Sequence, residues 1–396
     1  MSQNPVPSPF AAAANRLSRA HDAAFFSLLN AEKAIVRLVG PRRIGKTELV
    51  SHFARVERAP FLNVRIKPIP ADIAPGPVVA ALLCKEIDSL AHGAPKLYGA
   101  YQALLKKTIA PQTKRTFGAA LKGGFASITA QSETSMAAKF FAPDTDVDVE
   151  ISAMLRKIEQ AAARAKLRPV IFFDEVQELV LSTDHAPGMA TVWAIRNEIQ
   201  AHTACRYVFA GSNQRLFSRL QAGRNAPLLN LGTAIEIQPL TIEEVDAWAV
   251  PLFSKGKRHI NSLAPAARLL CGKIGEVVEV CNWLWAHSRA GDVLDETMQR
   301  NAVLAVARLQ DPIDLAVRSL TAAQATVLRW ILMHPGASPF AREATAAMDL
   351  NAGTVNSATK ALMEAELIEL FARNRFTATT PLRLLATLLP EAWGEA

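Results

Sequence analysis

Short apolar runs alternate with stretches of helical spacing over the first 240 residues of the chain. Five of the runs have the length and composition of buried strands, at residues 34–40, 61–66, 168–176, 206–213 and 234–238. Helical spacing is clearest at residues 16–30, 48–57, 78–91, 147–166 and 189–202. Strands that alternate with helices predict an α/β domain in which a parallel sheet is covered by helices on both faces.

The pattern is helical beyond residue 240. Helical blocks follow at residues 241–253 and 264–288, and a further group starts near residue 320. That group predicts three helices, a two-stranded wing at residues 367–379 and a closing helix at 381–389, which is the arrangement of a winged helix. We therefore expect domains at residues 1–240, 241–315 and 316–396, with residues 1–15 frayed.

A glycine-rich loop, GPRRIGKT, connects the first predicted strand to the helix that follows it. Gly40 and Gly45 allow the backbone to turn so that successive N–H groups point inward at an anion. Lys46 can reach the β- and γ-phosphates of a nucleotide, and the Thr47 hydroxyl can bind Mg²⁺. The predicted nucleotide-binding residues are Gly40, Pro41, Arg42, Arg43, Ile44, Gly45, Lys46, Thr47 and Glu48. The alternative is a surface turn that is rich in glycine and lysine.

Two acids stand at the end of the third predicted strand, in VIFFDEVQEL. Ligands of open α/β sheets bind beyond the carboxyl ends of the strands. We expect Asp174 to hold Mg²⁺ through water and Glu175 to orient or deprotonate the attacking water, with Lys46 as the other catalytic side chain. An ordinary solvated acidic turn would give the same letters.

Small polar residues end the fourth predicted strand, in AGSN. Asn213 is the preferred candidate for sensing the γ-phosphate or positioning the water, and Ser212 is the second; a plain turn is the alternative. An arginine often stabilises transition-state charge at such sites. The candidates are Arg215, Arg219 and Arg224. For each of them, a solvated surface arginine is an equal alternative.

Composition narrows the class of protein. The chain has 396 residues, of which 50% are hydrophobic and 20% charged, as in ordinary globular proteins. It contains no apolar run of the roughly 20 residues that span a bilayer and no secretory signal pattern. The cysteines are scattered, which argues against a disulfide framework or a zinc site and favours the cytoplasm. They are Cys84, Cys205, Cys271 and Cys281.

The motifs together resemble the archaeal-type ATPases, which are P-loop proteins of the AAA+ and STAND group. The resemblance rests on GPRRIGKTELV, FFDEVQEL, the GSN strand end and IEIQPLTIEEVDAW. In the last segment, Pro239, Leu240, Glu243 and Glu244 match the proline-leucine step and acidic helix of the family. The resemblance covers roughly residues 16–289, and the C-terminus more loosely.

The resemblance implies a P-loop NTPase fold with a parallel five-stranded sheet in the order 5-1-4-3-2, a helical lid and a winged helix. It also implies ATP with Mg²⁺ as cofactors and a slow, switch-like ATPase that works through partners or self-association. The family's approach to the first strand is represented only by Asn15 and Arg16, so adenine contacts are not assigned. Arg42 and Arg43 could meet the γ-phosphate, the lid or a neighbouring subunit, or pair with acids such as Glu236.

The net charge of +8 is compatible with nucleic acid but does not demonstrate it. Basic and acidic residues are equal in number from residue 318 onward, so the winged helix is neutral. Its candidate DNA contacts are Lys360, Arg373 and Arg375, against a packing or partner-docking role. The basic run at residues 106–122 is an equal candidate for a nucleic-acid or acidic-partner surface, unless it is a solvated loop.

The sequence therefore predicts a cytoplasmic ATPase whose nucleotide state controls association with a protein partner, a second copy or DNA. The first alternative is a DNA-binding regulator or loader of the replication-initiator or transposition type. The second is a scaffold that binds nucleotide without hydrolysing it.

Overall fold

The computed structural model describes residues 8–10, 22–69, 74–108, 147–180, 186–212, 214–222, 225–270, 272–309, 320–334, 336–365, 367–372 and 375–378. Contacts divide the chain into two compact units. The sheet unit comprises Ser18–Arg42 and Lys46–Ile237, and the helical unit comprises Met1–Leu17, Arg43–Gly45 and Gln238–Ala396. By its contacts, the middle of the glycine-rich loop therefore belongs to the helical unit.

A five-stranded sheet forms the centre of the sheet unit, and every neighbouring pair of its strands is parallel. The strands lie in the order β2-β3-β4-β1-β5, which confirms the order 5-1-4-3-2. They are β1 (Ala34–Val39), β2 (Phe61–Arg65), β3 (Val170–Asp174), β4 (Arg206–Gly211) and β5 (Thr233–Glu236).

Burial follows position in the sheet. All residues of β3 and β4 are buried, as expected for strands covered on both faces, whereas the edge strand β5 buries only Ile235. The chain links the strands through helices α1 (Asp22–Asn30), α2 (Lys46–Val56), α3 (Pro75–Gly93), α4 (Pro95–Thr108), α5 (Val147–Ala165), α6 (Ala186–Ile199) and α7 (Gln214–Gln221). A 3-10 helix, Val176–Val180, follows β3 directly.

Helix α4 was not expected from the sequence pattern, and it contains the first lysines of the basic run at residues 106–122. The rest of that run, from residue 109, lies outside the described residues. The predicted nucleic-acid or partner surface on it therefore stays a prediction.

Helices α8 (Ile242–Lys255), α9 (Ala264–Leu269), α10 (Ile274–Ala286) and α11 (Glu296–Leu309) share one hydrophobic core. Thr241 and Glu244 form a capping box at the start of α8, which satisfies two backbone N–H groups there. The range 264–288, predicted as part of one helical block with residues 241–253, is interrupted before α10. Gly272 has a φ of 63°, and a Cβ on it would lie 2.1 Å from the Leu240 carbonyl oxygen. A left-handed residue cannot continue a helix, so the block divides there.

The C-terminal part contains helices α12 (Ala322–Met333), α13 (Arg342–Ala347) and α14 (Ala352–Glu364), followed by the antiparallel strands β6 (Ile368–Ala372) and β7 (Arg375–Ala378). Its core is separate from the other two and includes Val327, Ile331, Val355 and Leu362. The predicted closing helix at residues 381–389 lies outside the described residues. None of the described helices is long and apolar enough to cross a membrane.

Phe10 belongs to the core of the helical unit. The range 1–15 was expected to be frayed, and most of it is not described, but Phe10 is fully buried. Its ring centroid lies 4.5 Å from that of Phe253, 5.6 Å from that of Trp248 and 5.9 Å from that of Trp285. The Ser8 hydroxyl donates a hydrogen bond to Asn282 in α10. A segment before the sheet thus completes a core formed by residues beyond it.

We expect Phe10→Ala to destabilise the helical unit by about 3–5 kcal/mol, because it removes a buried ring and leaves a cavity among aromatic neighbours. Urea unfolding followed by tryptophan fluorescence measures this, since two of the neighbouring rings are tryptophans. Val293→Ala is the control, because Val293 is 68% exposed and its truncation should change stability by less than about 0.5 kcal/mol. Equal midpoints for the two variants would contradict the anchoring role of Phe10.

Candidate active site

Three neighbouring strands deliver the predicted site residues to one edge of the sheet. The glycine-rich loop follows β1, the acids Asp174 and Glu175 lie at the end of β3, and Ser212 follows β4. Because β3, β4 and β1 are adjacent and parallel, their carboxyl ends meet at this edge.

The loop has the backbone that the motif predicts. Gly45 has a φ of 92°, a conformation that glycine adopts without strain. Lys46 is the first residue of α2 and is only 6% exposed. Its Nζ donates hydrogen bonds to the carbonyl oxygens of Gly40 at 2.7 Å and Pro41 at 2.8 Å. The ammonium group is therefore held inside the loop, beside the positive end of a helix.

Thr47 and Asp174 are in direct contact. The Thr47 hydroxyl donates a hydrogen bond of 2.8 Å to Oδ2 of Asp174. Burial raises the pKa of Asp174 above its ordinary value, and the hydrogen bond from Thr47 opposes that effect. Asp174 is 3% exposed. Its carboxylate carries a charge that burial disfavours, and a nearby cation would stabilise that charge.

Glu175 lies beside Asp174 in a different environment. Its Oε2 accepts hydrogen bonds from the Ser212 hydroxyl at 2.7 Å, the Ser212 backbone N–H at 2.9 Å and Nε2 of Gln177 at 2.6 Å. Burial by itself raises the pKa of Glu175, but these hydrogen bonds and the charge of Lys46 outweigh it, so the pKa lies below its ordinary value. The structure therefore places two adjacent acids in opposite electrostatic conditions.

The remaining predicted site residues are less informative. Arg42 is exposed, Ile44 is buried, and Glu48 forms a 3.6 Å ion pair with Arg55. Asn213 and Arg224 lie outside the described residues, so Ser212, the second choice, is the described polar residue after β4. Arg215 and Arg219 lie in α7, where the side chain of Arg215 is not described. The arginine-finger prediction stays a prediction.

Arg43 contacts helix α10. Its backbone is left-handed, with a φ of 63°, and its carbonyl oxygen accepts a hydrogen bond of 3.0 Å from the Gly275 N–H. Its guanidinium forms a 2.9 Å ion pair with Glu279. Glu236, which the sequence offered as an example of a partner acid, is not the acid in this pair. A loop residue that phosphate binding does not require is therefore engaged with a helix of its own unit.

The candidate DNA contacts are not brought together into a described surface. Lys360 is exposed and lies 4.0 Å from Glu364, one turn further along α14. Arg373 lies outside the described residues, and Arg375 lies in β7, where its side chain is not described. DNA contact by these residues stays a prediction.

Two functional candidates were missed by the sequence analysis. Gln177 follows the acids by two positions and bonds Glu175, and only the Gln within DEVQ pointed to it. Glu279 lies 236 residues from its partner Arg43, and nothing in the local pattern of α10 distinguishes it from a solvated acid.

Comparison with solved structures identifies the architecture. The chain is similar to the Walker-type ATPase PABY2304 of Pyrococcus abyssi, with 15% sequence identity, a TM-score of 0.60, and coverage of 94% of this chain and 96% of that one. The fold is that of a P-loop ATPase. This likeness confirms the predicted fold class.

Weaker likenesses extend over most of the chain. The Orc2 protein of Aeropyrum pernix in its ADP form gives 14% identity and a TM-score of 0.45, over 99% of this chain and 95% of that one. The Orc1 protein of the same organism, in complex with DNA, gives 12% and 0.44, over 97% and 94%. By sequence, no family model and no curated protein matches the chain.

The opposite environments of the two acids predict opposite stability effects. Because the pKa of Asp174 is raised in the folded state, its ionisation destabilises the fold at neutral pH, and Asp174→Asn should raise the urea midpoint of the ligand-free protein. Because the pKa of Glu175 is lowered, its ionisation stabilises the fold, and Glu175→Gln should lower the midpoint.

Urea unfolding across a pH series measures both differences. The gain from Asp174→Asn should vanish as pH falls through the raised pKa, where the wild-type acid is already neutral. The loss from Glu175→Gln should vanish as pH falls through the lowered pKa. Shifts of the same sign for both variants at neutral pH would contradict the assignment.

Proposed function

We propose that the protein binds ATP with Mg²⁺ at the carboxyl edge of its sheet and hydrolyses it slowly as a switch. The observation that carries the proposal is the contact between Thr47 and Asp174, which brings together a hydroxyl and a buried carboxylate from the two motifs. The P-loop ATPase fold supports it, because in that fold this edge is where ligands bind.

The loop would hold the phosphates. Its backbone N–H groups, the start of α2 and the Lys46 ammonium supply positive charge from three directions. Lys46 already bonds two carbonyl oxygens of the loop, so its side chain is ordered in the position from which it can meet a phosphate oxygen. An ordered cation binds without a large loss of side-chain freedom.

Magnesium fits the residues present. Thr47 and Asp174 provide oxygen donors of the kind that Mg²⁺ takes, usually with waters and phosphate oxygens completing the shell. Burial raises the pKa of Asp174, and a bound cation would stabilise its charged form, which supports this assignment. When bound, the metal would neutralise charge on the phosphate oxygens.

Glu175 would orient the attacking water. Its lowered pKa keeps the carboxylate ionised, and its hydrogen bonds fix its direction. Ser212 would support Glu175 and lie near the position of the γ-phosphate, which is the role first considered for Asn213. We retain Asn213 as a further candidate at the same strand end.

Nucleotide state would then act on the helical unit through the middle of the loop. Arg43–Gly45 share that unit, and Arg43 contacts Gly275 and Glu279. These contacts support a switch in which bound nucleotide alters the contacts between the loop and α10. That change would alter how the helical unit associates with a protein partner or a second copy. We further propose the division into a nucleotide domain, a helical lid at residues 241–315 and a winged helix at residues 316–396.

We expect Lys46→Ala to weaken ATP binding by about ten- to hundredfold or more, because charged hydrogen bonds contribute about 1.5–3 kcal/mol each. Calorimetric titration with ATP and Mg²⁺ measures the affinity. Lys33→Ala is the matched control, since Lys33 is exposed just before β1, at the other end of that strand. An affinity equal to that of the wild type would remove the loop from nucleotide binding.

Glu175→Gln should bind ATP normally and lose turnover by about a hundredfold or more, because a positioned general base contributes about 10²–10⁴ in rate. Phosphate release at high protein concentration measures it, with Glu57→Gln, an exposed acid beyond α2, as the control. Normal turnover would remove Glu175 from its role. Absence of turnover in the wild type, with ATP bound, would favour the non-hydrolysing scaffold instead.

A further inference from the structure

Gln177 is a polar residue in a fully buried position. It lies in the 3-10 helix after β3 and is 0% exposed. Its Nε2 donates to Glu175 Oε2 at 2.6 Å and to Glu178 Oε1 at 3.1 Å. The reverse assignment of the amide would set its oxygen against two carboxylates, so the hydrogen-bond network fixes which atom is the nitrogen.

The amide oxygen of Gln177 has no hydrogen-bond partner among the described residues. A buried polar atom left in this state costs about 1–3 kcal/mol. A leucine or methionine would fill the same space without that cost. Stability alone therefore does not account for an amide at this position. An apolar side chain would lack the contacts of Nε2 with Glu175 and Glu178, of which the one with Glu175 is shorter.

Hydrogen bonds from residues after two different strands hold one carboxylate oxygen of Glu175. Gln177 approaches Oε2 from the chain after β3, and the Ser212 hydroxyl and N–H approach it from the end of β4. In the described part of the chain, the other oxygen, Oε1, accepts no hydrogen bond. The backbone at Glu175 is itself left-handed, with a φ of 57°, which is unfavourable for a residue with a side chain. Among the residues that the structure describes, the carboxylate is therefore held at one oxygen, and the other oxygen is available to water.

Gly211 makes room for this arrangement. A Cβ at Gly211 would lie 2.5 Å from Gln177 Oε1 and 2.8 Å from the ring of Phe217. Any side chain at that position would displace the amide. The last residue of β4 therefore has to be small for Gln177 to reach Glu175.

We propose that Gln177 is a positioning residue for ATP hydrolysis. Its amide holds Oε2 of Glu175 in place, so that Oε1 faces the attacking water. This rests on the proposed function of the site. Gln177 itself contacts neither nucleotide nor water and acts only through Glu175. Loss of its amide leaves Oε2, among the described residues, with only the two hydrogen bonds from Ser212, which hold the carboxylate less firmly.

The test is Gln177→Met, which keeps the volume and removes the donor. We expect kcat to fall about tenfold or more, because small misplacements of a catalytic group cost up to about a hundredfold, while the KM and the binding affinity for ATP stay within about twofold. Gln299→Met is the matched control. Gln299 is equally a buried glutamine, 2% exposed, but its amide bonds the Ser262 and Leu294 carbonyl oxygens in the helical unit. Its replacement should leave kcat unchanged.

A double-mutant cycle with Glu175→Gln separates positioning from a merely structural role. If Gln177 acts through Glu175, adding Gln177→Met to Glu175→Gln causes no further loss of rate. A further loss equal to that seen in the wild-type background would overturn the proposal, as would an unchanged kcat in Gln177→Met alone. Should Gln177→Met fail to bind ATP, Gln177→Leu carries the test, because it removes the same donor to Oε2 of Glu175 and should lower kcat without changing KM.

The rate of the wild type distinguishes a failure of the proposed function from a failure of the positioning role. Turnover by the wild type with no effect of Gln177→Met would leave the proposed function standing and overturn the positioning role. ATP binding without turnover in the wild type would overturn the hydrolytic function, and the positioning role with it.

Discussion

The hydrogen bond from Thr47 to Asp174 joins residues that are 127 positions apart in the chain. β1 and β3 are not neighbours, since β4 lies between them. Two strand spacings amount to about 10 Å, so the contact forms only because the loop after β1 brings the start of α2 back over the sheet edge. An antiparallel β3 would place Asp174 at the opposite edge. The site therefore depends on parallel strands in this order.

The same edge concentrates features that are unfavourable for stability. Lys46 and Asp174 are nearly fully buried charges, and Glu175 has a left-handed backbone. A left-handed backbone at a residue with a side chain costs about 1–3 kcal/mol, and a buried charge is costly unless it is paired and hydrogen-bonded. Both persist where the surrounding structure fixes them. Here the fully buried strands β3 and β4 supply that structure. The adjacent acids diverge in pKa: burial raises that of Asp174, whose charge a cation would stabilise, whereas hydrogen bonds and Lys46 lower that of Glu175, which stays ionised and can accept a hydrogen bond.

Local sequence patterns predicted the strands, the glycine-rich loop and the paired acids, because each depends on a few neighbouring residues. They did not predict the contact of Gln177, because its burial and its bond to Glu175 are set by β4 and Gly211, which lie more than 30 residues away. The division of residues 264–288 was missed for a similar reason. Gly272 is left-handed against the Leu240 carbonyl oxygen, and helical spacing on either side conceals that contact. The partner of Arg43 was equally non-local.

Arg43 shows how a loop residue can serve the helices rather than the phosphate. Its φ of 63° would suit glycine better, so the position is occupied by a side chain despite the backbone cost. A Cβ on Gly275 would lie 3.1 Å from the Arg43 carbonyl oxygen, so α10 approaches the loop closely there. The ion pair with Glu279 joins side chains that are 33% and 44% exposed, and such pairs contribute at most about 1 kcal/mol. A contact of that strength does not hold the loop in a single conformation, and a bound phosphate could compete with Glu279 for the Arg43 guanidinium. Under the proposed function, this competition would let a bound nucleotide change the contacts that the loop forms with α10.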